Sequence, residues 1–383
     1  MVSSGAFAAI LCALACWGTG NAQADAPQKP RNIVLLYADD LGYGDLGCYG
    51  CTDIPTRNVD RLCRDGLRFL DAHAEAATCT PSRYSILTGK YAFRKKGTDI
   101  LPGDANLIIP PTEPNLAAVL KNAGYTTGIV GKWHLGLGYG KLDWNTLIAP
   151  GPVEIGFDYA FVLPATLDRV PCVYLEEGRV LNLDQKDPIQ LNYQHRVGND
   201  PTGFSNPELV RLKGDAQHSG TIIDGVPRIG FMAGGHSARC VDETMADIPG
   251  ESNALVSQMD LPASLASLTK QTLSNTGELD SLNLAPALLG ESATGRESLV
   301  EQGSTALGLR VGDWKLIKRI PKAAGREAKA VGVPPVSLYN LDDDPREKEN
   351  LLQRNPTKAG EMEKTLEQIV GKQYFPTGEE QKD

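Results

Sequence analysis

Long blocks of positive charge are missing from this chain. Its most compact basic run is Arg94-Lys95-Lys96, which reads as a solvated turn, and 47 Asp and Glu outweigh 38 Lys and Arg for a net charge of −9. A surface that tracks nucleic-acid phosphates needs clustered Lys and Arg, so no nucleic-acid partner is expected. Membrane-length apolar runs are also missing. The stretch Gly5 to Trp17 has 13 residues, short of the roughly 20 that span a bilayer as a helix, so no membrane span is expected. Its n-region lacks Lys and Arg, yet Asn21-Ala22-Gln23-Ala24 ends in the small-x-small pattern of a cleavage site. Residues 1–24 are therefore read as a signal peptide, and the protein as secreted or periplasmic. Leu14-Ala15-Cys16 leaves a lipoprotein site as the alternative.

Cysteine is sparse. Of eight, Cys12 and Cys16 would leave with the signal, and Cys48, Cys51, Cys63, Cys79, Cys172 and Cys240 remain. Their spacing shows no disulfide framework, and Cys48-x-x-Cys51 lacks the second Cys or His pair of a zinc site. They read as scattered buried thiols, with one bridge allowed. What is plentiful is ordinary globular material: 41% hydrophobic and 22% charged residues with 40 Gly in 383. That composition excludes a disordered chain, and the length allows one large domain with a small appendage.

Arg31 to Ala38 is a continuous apolar run, the pattern of a parallel strand buried on both faces, and Asp39-Asp40 follows it at once. A helix is expected from Arg57 to Arg64 with Gly66 as its stop, another from Asn115 to Asn122 with Gly124 as its stop, and a second core strand from Thr126 to His134. Alternating strands and helices imply an α/β doubly wound sheet, mixed or parallel, with ligands at the carboxyl ends of its strands. Tyr174 to Asp247 lacks periodicity and reads as long loops. Ala254 to Leu268 reads as helical. Beyond Arg296 short strands follow: Thr305 to Arg310, a Gly312-Asp313 turn, Trp314 to Arg319, then Ser337 to Leu341, with a closing helix from Glu361 to Lys372. The expected division is 1–24 signal peptide, 25–295 catalytic α/β domain and 296–383 small antiparallel-sheet subdomain with a terminal helix.

Chemistry concentrates in Thr78-Cys79-Thr80-Pro81-Ser82-Arg83. Pro81 suits the first turn of a helix, which puts Cys79 beside free backbone N–H groups and the positive helix end, with Arg83 one turn on. That is the layout of an activated, anion-facing nucleophile. Asp39-Asp40 at a strand end suits a hard cation, or a turn or helix cap. Lys132 and His134 sit two apart, so on a strand both point to one face, either an exposed face or a pair that holds an anionic oxygen and assists proton transfer.

Cys79-x-Pro81-Ser82-Arg83 followed by Leu87-Thr88-Gly89-Lys90-Tyr91 resembles the signature of the type I sulfatases, in which the cysteine becomes formylglycine. Ile33 to Asp45 resembles the family's opening strand, Gly131 to Gly136 its second motif, and Leu309 to Ile317 with Leu338 to Leu351 its closing sheet. The resemblance implies the alkaline-phosphatase-like fold and an arylsulfatase-like sulfuric ester hydrolase. It implies formylglycine made from Cys79 by a formylglycine-generating or anaerobic maturation enzyme, and Ca²⁺ held by Asp39, Asp40 and the modified Cys79. It further implies sulfate contacts from Arg83, Lys132 and His134, and places Thr166 near the same group. The substrate is a sulfate ester, either sulfated carbohydrate or aryl sulfate. A hydrated aldehyde offers one oxygen to attack sulfur and a second to expel sulfate, so no water attacks the covalent intermediate.

The chain departs from that pattern in its middle. The family's remaining metal ligands, on a core strand ending in Asp-Asn or Asp-His, and a lysine after it, have no match, and the sequence reads as missing a segment near Asp247-Ile248. Asp224, Asp242, His218 and His236 read as loop residues. The alternative expectation is therefore an inactive relative or truncated isoform that binds sulfated ligands.

Overall fold

The computed structural model describes residues 32–39, 41–166, 171, 173–186, 188–191, 250–252, 255–271, 280–303, 305–320, 334–371 and 374–375. They fall into two units divided after Ala38. The short first unit corrects one expectation. Residues 32–38 form no strand, and Ile33, Val34, Leu35 and Leu36 are 39%, 56%, 49% and 68% exposed. An apolar run becomes a core strand only where neighbours satisfy its backbone on both edges, and no described strand pairs with this one.

In the second unit the helices obey their end signals. Helix α1, Arg57–Asp65, stops at Gly66, and α2, Cys79–Thr88, ends on Gly89 in the left-handed region at φ 67°. After α2, Arg94 donates from Nε to Asp280 Oδ2 at 2.8 Å and Lys95 from Nζ to the Ile108 carbonyl at 2.5 Å, so these two members of the basic run are bonded rather than merely solvated. Helix α3, Leu116–Asn122, is capped by Asn115, whose side chain accepts from Ala118 N–H at 3.1 Å.

Four short sheets are formed, two of them joining early strands to late ones across the chain. Strands β1, Leu67–Phe69, and β2, Ala72–His73, pair in parallel with β7, Gly250–Ser252, and β8, Val256–Ser257. Strand β3, Gly128–Lys132, pairs in parallel with β4, Tyr159–Leu163, and a hairpin of β5, Leu175–Glu176, and β6, Arg179–Val180, continues from β4 in antiparallel fashion. That hairpin adds regular structure where long loops are expected. The mixed parallel pairing between helices is the α/β pattern the sequence implies.

The expected helix from Ala254 is shorter. Strand β8 and a turn at Gln258–Asp260 precede α4, Leu261–Leu268. Pro262 lacks an N–H and belongs in a first turn, so the helix starts there, and Ser257 accepts from Met259 N–H to mark its approach. A short helix α5, Ala285–Leu288, leads to β9, Ser298–Gln302, which sequence reading missed. It completes an antiparallel sheet in the order β12-β11-β10-β9, where β10 is Ala306–Val311, β11 Trp314–Arg319 and β12 Val336–Asn340. Helix α6 runs Pro356–Val370, earlier than its apolar spacing indicates because Pro356 opens its first turn.

Two apolar clusters hold these layers. One joins Tyr84, Ile86 and Leu87 of α2 to Leu116 of α3, Trp133, Leu135 and Val162. The other seats Met362, Leu366 and Val370 of α6 on Leu307, Leu309, Leu316 and Leu338 of the antiparallel sheet. Within the C-terminal layer Leu309 is fully buried, and Leu309→Ala should cost about 2–5 kcal/mol.

A charged seam crosses from β2 to that sheet. His73 bonds Asp71 Oδ1 through Nε2 and Glu301 Oε1 through Nδ1, both at 2.6 Å, Lys315 meets Glu301 at 2.9 Å, and Arg310 meets Asp71 at 3.4 Å. Burial works against charge on His73, but hydrogen bonds to Asp71 and Glu301 push its pKa up to about 9. Burial likewise opposes charge on Glu301, and the His73 bond and Lys315 charge hold it at about 2. The stability His73 contributes is complete below its ordinary 6.5 and is lost as pH rises through 9, whereas that from Glu301 is complete above its ordinary 4.5 and is lost as pH falls through 2. Denaturation followed from pH 6 to pH 9 should show the wild type losing stability, and His73→Gln should flatten that decline.

Candidate functional site

The site begins where α2 begins. Thr78 is extended at φ −129° and ψ 158°, so the chain turns into the helix at Cys79, the first helical residue, which is half-buried. Every α2 residue from Thr80 to Thr88 is buried. The helix is thereby wedged among neighbours, and its first side chain is fixed in direction.

Strand β3 delivers the second group. It ends at Lys132, whose ammonium donates to Cys79 Sγ at 3.0 Å and to Asp39 Oδ2 at 2.6 Å. Arg83 closes the cluster from one turn along α2, donating from Nη1 to the Lys132 carbonyl at 2.7 Å and from Nη2 toward Asp39 Oδ1 at 3.5 Å. The Arg83 and Lys132 side chains are 10% and 12% exposed and that of Asp39 42%. Burial pushes the Asp39 carboxyl up, but the hydrogen bond and charge of Lys132, then the charge of Arg83, outweigh it and hold the group below its ordinary 3.8. Two cations thus converge on the partly exposed Asp39 carboxylate, and one of them, Lys132, also reaches the Cys79 thiol. An entering anion with several oxygens finds both donors held by the fold and one displaceable acid.

His134 departs from expectation. The strand stops two residues before it, and His134 takes a positive φ of 58°, which cancels the alternation that would align its side chain with Lys132. It is fully buried, with Nε2 bonded to the Leu101 carbonyl at 2.8 Å. Its carbonyl reaches helix α2, accepting from Thr80 Oγ1 at 3.0 Å. The turn is tight. Gly136 at φ 75° passes so close to Asn106 that a Cβ would lie 1.9 Å from that carbonyl oxygen, so only glycine fits. Thr166 is half-buried, three residues beyond β4. Asp40, Asp224, Asp242, His218, His236 and the Asp247-Ile248 junction lie outside the described residues.

The structure therefore assembles Asp39, Cys79, Arg83 and Lys132, and sets the His134 ring apart. Calcium takes six to eight oxygen ligands. Here Asp39 is committed to two cations, Lys132 stands between it and Cys79, and no group of three His, Cys, Asp or Glu able to hold a metal occurs among the described residues. These donors do not fit a calcium ion.

A cysteine at a helix start, flanked by a strand-end lysine and a helix arginine on an α/β frame, is chemically suited to receive an anion, and comparison with known proteins gives its family. The sequence model of the Sulfatase family matches residues 31–168. A solved sulfatase structure from the Bacteroides thetaiotaomicron locus for metabolism of multiple glycosaminoglycans superposes with a TM-score of 0.76 at 33% identity, over 87% of this chain and 98% of that one. The chain belongs to the sulfatase family, and its fold is the alkaline-phosphatase-like α/β fold with a small antiparallel sheet toward the C-terminus. An N-acetylgalactosamine-6-O-sulfatase of B. thetaiotaomicron is 55% identical over 222 residues, 58% of this chain. The chain spans 43% of that relative's length. Human arylsulfatase A is 28% identical over 429 aligned positions, covering 85% of this chain and 84% of the relative.

Beneath the site lies a group that sequence reading missed. Glu75, four residues before Cys79, is 1% exposed, accepts from Ser257 Oγ at 3.1 Å and from Gln258 Nε2 at 3.2 Å, and the same amide donates to Ser82 Oγ of α2 at 2.5 Å. Only the proximity of Glu75 to the motif hinted at it; nothing local marks Gln258. Burial pushes the Glu75 carboxyl up to about 7 despite these bonds. Its folded form favours the proton, so its contribution is complete below the ordinary 4.5 and falls away as pH rises through 7. Glu75→Gln should therefore stabilise the protein by about 1–3 kcal/mol at pH 8 and leave stability at pH 4 unchanged, as read by denaturant titration at the two pH values.

Proposed function

We propose that this chain is a sulfuric ester hydrolase that acts on sulfated carbohydrate through a formylglycine made from Cys79. One observation carries the reading: Lys132 Nζ stands 3.0 Å from Cys79 Sγ while Arg83 braces on the Lys132 carbonyl, within a segment that matches the Sulfatase family. The B. thetaiotaomicron relative is named for 6-O-sulfated N-acetylgalactosamine, which favours that unit over an aryl sulfate. Residues 1–24 are proposed as the export signal, 25–295 as the catalytic domain and 296–383 as the closing subdomain.

A formylglycine supplies an oxygen nucleophile for sulfur and a route to expel sulfate afterwards. The chain's own side chains do the rest. Lys132 and Arg83 take the sulfuryl oxygens and balance the charge that builds on them. Their low exposure limits screening by water, so each donor counts for more than it would at the surface. Asp39, displaced by the entering anion, keeps Lys132 oriented between turnovers. His134 acts by position, its carbonyl fastening Thr80 beside the nucleophile. Sulfuryl charge is assigned to the two cations, because the described donors do not fit calcium.

The shortage of metal donors among the described residues favours a second reading, a relative that binds sulfated ligands without turnover. Co-expression with a formylglycine-generating enzyme, peptide mass analysis at position 79 and sulfate release from 6-O-sulfated N-acetylgalactosamine separate the two. The hydrolase reading expects aldehyde at position 79, turnover in the wild type, none in Cys79→Ala, and a loss of about 10²–10³-fold in kcat for Lys132→Ala. Saturable binding without release supports the second reading, and absence of both binding and release defeats the two together.

A further inference from the structure

Three of the four free cysteines among the described residues gather at one turn, away from Cys79. Cys48 lies in the turn Gly47–Tyr49, Cys51 just beyond it, and Cys63 in the last turn of α1. The turn sits on α1. Gly47 N–H donates to Thr56 Oγ1 and Cys48 N–H to Asp60 Oδ1, both at 2.8 Å, and the Thr56 hydroxyl donates to the same Asp60 oxygen at 2.8 Å. Asp60 and Cys63 are three apart on one helix, so the face that receives the Cys48 backbone also carries the Cys63 side chain. From the other side the Arg68 guanidinium donates to the Cys48 carbonyl and Tyr49 Oη to the Phe69 carbonyl at 2.9 Å. The Cys48 thiol is pushed up in pKa by burial, then by the facing Cys63 thiol, with Asp60 adding to it. Cys51 turns back instead, its N–H closing onto the Leu46 carbonyl at 3.0 Å.

We propose that Cys48 and Cys63 form a disulfide in an oxidising compartment, stapling the segment that follows Asp39 onto α1. Each thiol releases its proton, and the two sulfurs together pass two electrons to an oxidising disulfide such as oxidised glutathione. One S–S bond forms in the protein while one breaks in the oxidant, which leaves as two thiols. The seat is already built by backbone bonds to Thr56 and Asp60, so closure holds in place a turn that the reduced chain also forms. Its gain comes from chain freedom removed in the unfolded state.

The test uses the full chain equilibrated with oxidised glutathione, alkylated, digested without reduction and mapped by mass spectrometry. A peptide pair joined through Cys48 and Cys63, which separates on adding dithiothreitol, is the expected result. Oxidation should raise Tm by roughly 2–8 °C, a rise that Cys48→Ser and Cys63→Ser both abolish and Cys51→Ser retains. Alkylated Cys48 and Cys63 after oxidation, a bridge from either to Cys51, or loss of the linked pair in Cys51→Ser would each overturn the proposal.

Discussion

The Lys132 ammonium is the contact on which the site depends. It satisfies Asp39 and Cys79 at once, and its own backbone carbonyl receives Arg83, so one residue ties a strand end, a helix start and a loop carboxylate into a single charged unit. Neither cation is left unbalanced in a region where side chains are about one-tenth exposed, which is the condition for burying charge at tolerable cost. The counterion is the exposed member of the trio. It is therefore the one an anionic ligand can replace, and replacement leaves the two cations where the backbone already holds them.

That arrangement requires α2 to be immobile. Its apolar residues lie in the first core cluster, and the hydroxyls of Ser85 and Thr88 bond back to carbonyls one turn earlier. Glu75 and Gln258 link the helix to β8 from below, and Thr80 links it to the turn at His134 from the side. Burying a carboxyl under a nucleophile costs stability at alkaline pH, where it ionises. The seam around His73 loses stability over an overlapping range, so the fold is more robust in mild acid than in base.

Much of this was legible in the sequence where a local signal decides the outcome. Gly66, Asn115 and Gly124 marked helix ends because caps and left-handed turns are short-range effects, and Gly312-Asp313 marked a hairpin for the same reason. The cysteine, arginine and lysine of the site were legible because a helix start, a one-turn spacing and a strand end are local geometry. Other parts depended on distant structure. The apolar run before Asp39 reports that those residues suit a core strand, but no strand among the described residues pairs with them. His134 fell out of line because a left-handed residue interrupts the strand, and neither Lys-x-His spacing nor hydropathy carries that information. The helix at Pro262 was misplaced because its apolar spacing extends upstream of the proline, which limits where the helix can start. Gln258 and Glu75 meet across 183 residues, a separation at which no local pattern speaks.

Membership in the sulfatase family follows from the match over residues 31–168 and from the superposed glycosaminoglycan-locus structure, while the proposed function rests on this chain's own cluster. The central claim is that Lys132 and Arg83 form a pre-built oxyanion seat guarded by Asp39. Calorimetric titration with inorganic sulfate at constant ionic strength tests it without needing turnover. The account predicts one saturable site per chain, weakened in both Lys132→Ala and Arg83→Ala. Sulfate affinity unchanged by those two substitutions, or no saturable binding at all, would contradict it.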